Sequence, residues 1–153
     1  MQLEEEIKQK KFKDNRSKAL LNILFTSSWI NGMSLNLLKP YGISPQQYNI
    51  LRILKGSYPD RLSVHSIKER MIDKTPNVTR LVDRLLDKEL VTRERCTSDR
   101  RMVFVSINEK GLEFMETLNK VMEQNDNIME DLTEEEAEQL SMLLDKVRAK
   151  KYK

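Results

Sequence analysis

The stretch TPNVTRLVDRLLDKELV, residues 75–91, constrains this chain more than any other segment. Val78, Leu81, Val82, Leu85 and Leu86 fall at the i, i+3, i+4, i+7 and i+8 positions of one helix face, so a strongly amphipathic helix is expected there. Thr75 is a capping residue type and Pro76 suits the first helical position, which predicts a helix over residues 76–89 with Thr75 as its cap. The period then changes. Residues 91–96 and 102–107 read as strands, with Val103, Val105 and Ile107 alternating with outward positions. The polar cluster between them makes the pair a hairpin. A helix with one apolar face running straight into a hairpin leaves few architectures open.

The rest of the chain narrows them further. Only four glycines and four prolines in 153 residues favour long helices over a loop-rich or all-β fold. Over residues 3–38 nothing stronger than Gly32 interrupts a helix. Leu20, Leu21, Leu24, Phe25, Ile30, Met33 and Leu37 keep three-and-four spacing, which predicts one long helix ending at KPYGIS. Ser44, Pro45 and Gln47 have the form of a capping box opening a short helix that carries Tyr48, Leu51 and Leu54 inward and stops near Gly56. Ser63 is placed to cap a third helix over residues 64–71, with Ile67 and Met71 facing the core. Beyond the hairpin, Asn108 caps a helix with Leu112, Met115, Leu118, Met122 and Met129 on one side. LTEEE starts the last helix, with Thr133 as cap, Glu136 at the third position, and Leu140, Leu143, Leu144 and Val147 along it. The cations of RAKKYK sit at the negative end of its dipole.

Helix, two short close-coupled helices, then a two-stranded hairpin is the order of a winged helix-turn-helix, in which the second of the coupled helices enters the major groove. The expected fold is therefore mainly α with a small antiparallel β-hairpin wing, flanked by long N- and C-terminal dimerisation helices. A single domain over residues 1–153 is expected, with the winged lobe at 44–108 and the helical dimerisation region at 1–40 and 109–153. The end helices carry more apolar surface than one small lobe covers, so pairing with a second copy is expected, and a two-fold protein suits a palindromic site.

Charge is informative by position alone: 27 Lys+Arg against 24 Asp+Glu leave a formal charge of only +3. Turning by about 100° per residue puts Pro76, Asn77, Thr79, Arg80, Asp83 and Arg84 away from the apolar stripe. Arginine bonds guanine bidentately, asparagine reads adenine, and threonine meets a base edge or the thymine methyl. Thr75 and the free N–H groups at that helix start would hold a backbone phosphate. A solvated polar face is the ordinary explanation of such a surface. The hairpin favours the other one, because Arg100 or Arg101 at its tip would enter the minor groove, with Asp99 holding one arginine extended by a charge-assisted bond.

Other chemistry finds little support. The single cysteine, Cys96, excludes an internal disulfide framework and, with no apolar leader at the N-terminus, points to a reducing cytoplasm. A neutral, non-sensing thiol is expected there. One histidine, His65, and one cysteine make a metal site unexpected, and no cofactor is expected. Neither a Gly-rich phosphate loop nor a G-x-S-x-G or H-E-x-x-H pattern occurs, and no enzyme activity is assigned. No stretch is apolar enough to span a bilayer.

At residue level, TPNVTRLVDRLLDKELVTRERCTSDRRMVFVSINEKG resembles the most recognisable block of the MarR family of bacterial regulators: recognition helix, wing strand, D-x-R tip on Asp99 and Arg101, second strand, and a turn similar to LTEKG. The order of elements is similar over essentially the whole chain. Two segments depart from the family's pattern: RMIDKTPN lacks a glycine between the coupled helices, and Glu89 stands where many relatives have the glycine of KGLV. The resemblance implies a homodimeric, sequence-specific DNA-binding transcription regulator, most often a repressor relieved by a small aromatic or anionic effector. Its partner would be double-stranded DNA bearing a pseudo-palindromic operator. The effector pocket would lie near the end of the first helix, the second helix and the start of the fifth, where Trp29, Met33 and Tyr48 are candidates for lining but are of types that ordinarily just pack. The candidate DNA-contacting set is Ser63, Thr75, Pro76, Asn77, Thr79, Arg80, Arg84, Asp99, Arg100 and Arg101. A competing expectation is a winged-helix adaptor that binds proteins through its long helices.

Overall fold

The computed structural model describes residues 2–95 and 102–149, with the backbone alone for residues 124–127. Asp99, Arg100 and Arg101, the expected wing tip, lie outside the described residues together with Cys96.

In chain order the elements are α1 (Leu3–Glu6), α2 (Asn15–Leu38), a 3₁₀ turn (Lys39–Tyr41), α3 (Pro45–Gly56), β1 (Leu62–Ser63), α4 (Val64–Arg70), α5 (Val78–Asp87), β2 (Val91–Arg95), β3 (Val103–Ile107), α6 (Glu109–Asp126), a second 3₁₀ turn (Asn127–Met129) and α7 (Glu134–Arg148). The expected unbroken helix over residues 3–38 is thus divided. Asp14 caps α2 by accepting from the Ser17 amide at 2.7 Å, and Lys8 takes a left-handed φ of 53°. Crowded like charges at Lys8, Lys10, Lys11 and Lys13 disfavour a continuous helix across that stretch. α1 instead folds back, with Glu4 paired to Lys18 and the Lys18 ammonium 5.7 Å from the centre of the Phe12 ring.

Where a cap and an apolar stripe agree, the sequence expectation holds closely. Ser44 Oγ accepts from the Gln47 amide at 3.2 Å while Gln47 Oε1 accepts from the Ser44 amide at 3.0 Å, and Pro45 takes the first position of α3. Thr133 and Glu136 make the same reciprocal pair at the start of α7. The core sits between α3, α4, α5, the sheet and the first half of α6: Ile50, Leu51, Leu54, Ile67, Val82, Leu85, Val105, Met115 and Leu118 are all fully buried, and Leu38 joins them from the end of α2.

The sheet has three strands in the order β1-β3-β2, all antiparallel, rather than the two expected. β1 is only two residues long, pairing Leu62 with Val105 and Ser63 with Phe104, and is too short to show a period of two. β2 and β3 run in register from Val91 opposite Ile107 to Arg95 opposite Val103.

α5 ends in a Schellman closure: the Leu90 amide donates to the Leu85 carbonyl and the Glu89 amide to that of Leu86. Glu89 holds the left-handed φ of 59° that glycine would adopt without strain. The same closure after α2 uses Gly42, at φ 64°. Asn108 then locks the exit of α5 to the start of α6: its side-chain amide donates to the Glu89 carbonyl at 2.9 Å and its Oδ1 accepts from the Gly111 amide at 2.9 Å. At Gly111 a Cβ would sit 2.1 Å from the Leu90 carbonyl oxygen, so no larger residue fits without moving the helix.

Candidate nucleic-acid interface

α5 presents two faces. Val78, Val82 and Leu85 are buried and Leu81 and Leu86 partly so, while Thr79, Arg80 and Arg84 are exposed on the other side. Its start differs from the expectation. The cap is Asn77, whose Oδ1 accepts from the Arg80 amide at 3.2 Å, and the helix begins at Val78 rather than at Pro76. Thr75 does not cap it: its amide donates to Asp73 Oδ1 at 3.0 Å and its hydroxyl donates to the same atom. Thr75 and Asn77 are both capping types, asparagine the stronger, and the Asp73 turn takes Thr75 out of the competition by engaging its amide and hydroxyl. These bonds, side chain before backbone, hold the Asp73 carboxyl below the usual carboxylate range.

The shift alters what each residue offers. Asn77 remains exposed, but its carboxamide oxygen serves the cap, so the adenine-reading role expected of it has only the NH₂ group free of the cap. Pro76 is half-buried ahead of the helix, and Thr75 is exposed at the turn. Of the N–H groups expected to hold a phosphate here, the Thr75 amide is given to Asp73 and the Arg80 amide to Asn77. Ser63 is half-buried and caps α4, its Oγ accepting from the Ser66 amide at 3.0 Å and lying 2.9 Å from Ser66 Oγ.

Asp83, placed by its spacing on the polar face, is half-buried and meets Arg93 of β2 at 2.5 Å. That pair braces the recognition helix against the first long strand of the wing. On the other side of the sheet, Arg61 pairs with Glu94 at 2.5 Å and lies 4.8 Å from the centre of the Phe104 ring. Sequence reasoning missed Arg61 and Arg93, because only the folding of the sheet brings Arg61 to Glu94 and only the packing of α5 on β2 brings Arg93 to Asp83. The turn between α4 and α5 needs no glycine: Met71 ends α4 in extended conformation, and Asn49 of α3 accepts from the Ile72 amide at 3.0 Å.

A concavity lies between α3 and α6, a cleft of about 530 Å³ lined by Tyr48, Arg52, Lys55, Met115 and Asn119 among others. The Tyr48 hydroxyl donates to Asn119 Oδ1 at 3.2 Å. Of the residues considered for an effector pocket, only Tyr48 lines it. Trp29 is 48% exposed on α2, so the expectation that it packs in the core does not hold for this chain alone, and Met33 is half-buried.

Two coupled helices on a common core, the second with an exposed polar face and braced to an antiparallel wing, define a winged helix-turn-helix protein of the DNA-binding class. A model of the MarR family matches residues 43–103, which runs from just before α3 to the start of β3. The chain is 30% identical over 113 residues to the HTH-type transcriptional regulator MhqR of Bacillus subtilis, covering 70% of this chain and 73% of that one. It is 38% identical over 87 residues to the HTH-type transcriptional repressor MdtR of the same organism, spanning 55% of this chain and 54% of the relative. In fold it is similar to Escherichia coli MarR crystallised with operator DNA, at a TM-score of 0.72 and 23% identity, covering 96% of this chain and 99% of the other. This chain belongs to the MarR family and is a DNA-binding transcription regulator.

Proposed function

We propose that the chain works as a homodimeric repressor in the cytoplasm, binding a pseudo-palindromic operator and released from it by a small aromatic or anionic effector. The observation that carries this reading is the polar face of α5, where Thr79, Arg80 and Arg84 stand exposed directly opposite buried Val78, Val82 and Leu85. A helix held so firmly by one side can offer the other to base edges at little entropic cost. Arg80 and Thr79 are assigned to bases. Arg84, Thr75, Pro76, Asn77 and Ser63 are assigned to the flanking backbone, with Asp99, Arg100 and Arg101 at the wing tip gripping the minor groove.

Residues 44–108 form the DNA-binding lobe in this reading, and residues 1–40 and 109–153 the dimerisation region of one domain. Among the described residues α2 and α7 leave Leu20, Leu24, Leu143 and Val147 exposed, surface that a second copy would cover. The cleft beside Tyr48 is the proposed effector seat: Arg52 and Lys55 line it, Lys55 being paired with Glu116, Glu123 adds a carboxylate, and Met115 and Met122 supply an apolar wall. Support for repression comes from MdtR, named a repressor, and support for operator binding from the E. coli MarR complex. An adaptor lacking specific DNA binding is not favoured by these relatives, and the chain is read as a regulator rather than an enzyme.

The test is the Arg80→Ala variant measured against a bound genomic fragment and single-base substitutions of it. Loss of about 1–3 kcal/mol confined to one base position of each half-site, with affinity for unrelated duplex retained, is the expected result. Equal loss on every sequence would make Arg80 a phosphate contact and remove it from the reading surface.

A further inference from the structure

Two oppositely charged stretches flank the winged lobe in sequence. Residues 8–18 hold Lys8, Lys10, Lys11, Lys13, Arg16 and Lys18 against one acid, Asp14, which is engaged in capping α2. Residues 130–138 hold Glu130, Asp131, Glu134, Glu135, Glu136 and Glu138 with no cation among them. The acids are all exposed, and so are the cations except Lys18, which is half-buried and paired with Glu4. Among the described residues, Lys18 is the one charged member of either stretch that enters an ion pair, and no ion pair links the two stretches within the chain.

Helix electrostatics account for neither stretch. A helix start favours acids, but only within its first turn. Glu134, Glu135 and Glu136 occupy that turn of α7, whereas Glu130 and Asp131 precede its cap and Glu138 follows it. The basic stretch opposes the dipole outright: four lysines lead into the positive end of α2, Arg16 stands in its first turn, and no acid lies in that turn. Crowded cations at a helix start are destabilising, so what offsets them lies outside α2.

We propose that the basic stretch 8–18 of one copy docks on the acidic stretch 130–138 of a second copy, and that this reciprocal electrostatic strap sets the direction in which α2 and the partner's α7 lie together. The inference rests on the homodimer reading and adds to it what the apolar faces leave open. In each chain the charged stretch runs directly into exposed apolar residues, Leu20, Ile23 and Leu24 on α2 and Leu140, Leu143 and Val147 on α7. Side by side in the same direction, with Leu20 level with Leu140, the two helices match cation to acid and apolar to apolar at once. In opposite directions, with Leu20 level with Val147, the cations of α2 meet Arg148, Lys150 and Lys151. Like charges in contact exclude that arrangement, and they equally exclude a foreign chain whose charges follow another order. A DNA duplex is the less fitting occupant of the basic stretch: α2 has 24 residues, so its start lies about 36 Å along the helix from the end where Leu38 enters the lobe core.

The experiment follows dimer dissociation of the full chain by sedimentation with a fluorescent label. For the wild type, raising salt from about 0.05 M to about 0.5 M is expected to raise the dissociation constant at least about tenfold, since screening weakens exposed ion pairs and leaves apolar contacts intact. This series needs no substitution, so it tests the strap whether or not a variant folds. Two charge-reversed chains then separate contact between copies from contact within one: Lys10→Glu with Lys11→Glu and Lys13→Glu, and Glu130→Lys with Glu135→Lys and Glu138→Lys. Each alone is expected to pair about 100-fold more weakly than the wild type, and an equal mixture to form a heterodimer within about tenfold of it. Lys68→Glu with Lys74→Glu and Lys88→Glu, exposed in the lobe, shifts net charge as far as the first variant and is expected to leave pairing unchanged. A wild-type dimer that holds or tightens as salt rises, a mixture no tighter than its parts, or equal weakening by the lobe variant overturns the strap and leaves the apolar dimer standing. Lost duplex binding with intact pairing in the first variant overturns it in favour of a nucleic-acid contact. A wild-type chain that stays monomeric at every concentration overturns the homodimer reading itself.

Discussion

The winged lobe and the end helices obey the same sequence pattern and end in opposite states. α3 buries Gln47, Tyr48, Ile50, Leu51 and Leu54 within 12 residues, whereas α7 buries none of its 15, leaving Leu143 61% and Val147 63% exposed. Three-and-four spacing of apolar residues says that a helix has a face to hide. It does not say what hides it. In the lobe the covering surface comes from the same chain. For α2 and α7 the pattern describes a surface written for something outside it, which in the proposed dimer is the second copy.

The sharpest way to break this contrast is to place a charge on each face. Leu143→Glu is expected to leave a single copy folded, since the residue is already in solvent, yet to destabilise the dimer by about 3–5 kcal/mol by burying an unpaired carboxylate in each half of the interface. Sedimentation analysis would show dissociation to monomers at micromolar concentration. A dimer as tight as the wild type would remove α7 from the pairing surface. Truncation in the lobe has the reverse character: Leu51→Ala, at a fully buried position, should lower unfolding free energy by about 2–5 kcal/mol at any protein concentration. A loss that disappears on concentrating the protein would mean that the lobe core also depends on the partner.

The smallest effect lies at the seam of the lobe and sharpens the comparison from inside it. Gly42 and Glu89 close two helices in the same way, but only Gly42 does so without left-handed strain. Glu89→Gly relieves about 1 kcal/mol of that strain while losing only a solvent-exposed ion pair with Lys110 at 2.6 Å, which contributes little. Denaturant unfolding is expected to show a net change between zero and about 1 kcal/mol in the stabilising direction. A clear destabilisation would mean that Lys110 contributes more to the α5–α6 junction than its exposure suggests.

How legible each feature was depends on where its physics resides. The capping boxes at Ser44 and Thr133, the Ser63 cap of α4 and the alternation in Val103, Val105 and Ile107 are local, and they appear where the sequence places them. The start of α5 was misplaced by two residues because Thr75, Pro76 and Asn77 each satisfy a local rule, and the bond from Thr75 to Asp73 settles the competition. β1 was missed because two residues carry no period, and it exists through its pairing with Val105 and Phe104. The division between α1 and α2 turns on the Asp14 cap, the repelling lysines and the fold-back of Glu4 onto Lys18, a contact across fourteen positions. On α5 the exposed placement of Arg80, Thr79 and Arg84 was readable from helix geometry alone, while the Asp83–Arg93 brace needed the tertiary structure to bring its parts together.

The proposed mode of regulation depends most on α5 acting as a reader of base sequence rather than as a solvated face. A mobility-shift survey of genomic fragments at physiological salt tests it directly. Retention of a small set of fragments that share an inverted repeat, with the wild-type chain binding as two copies, is the predicted result. Retention of no fragment, or of all fragments equally whatever their sequence, would contradict it.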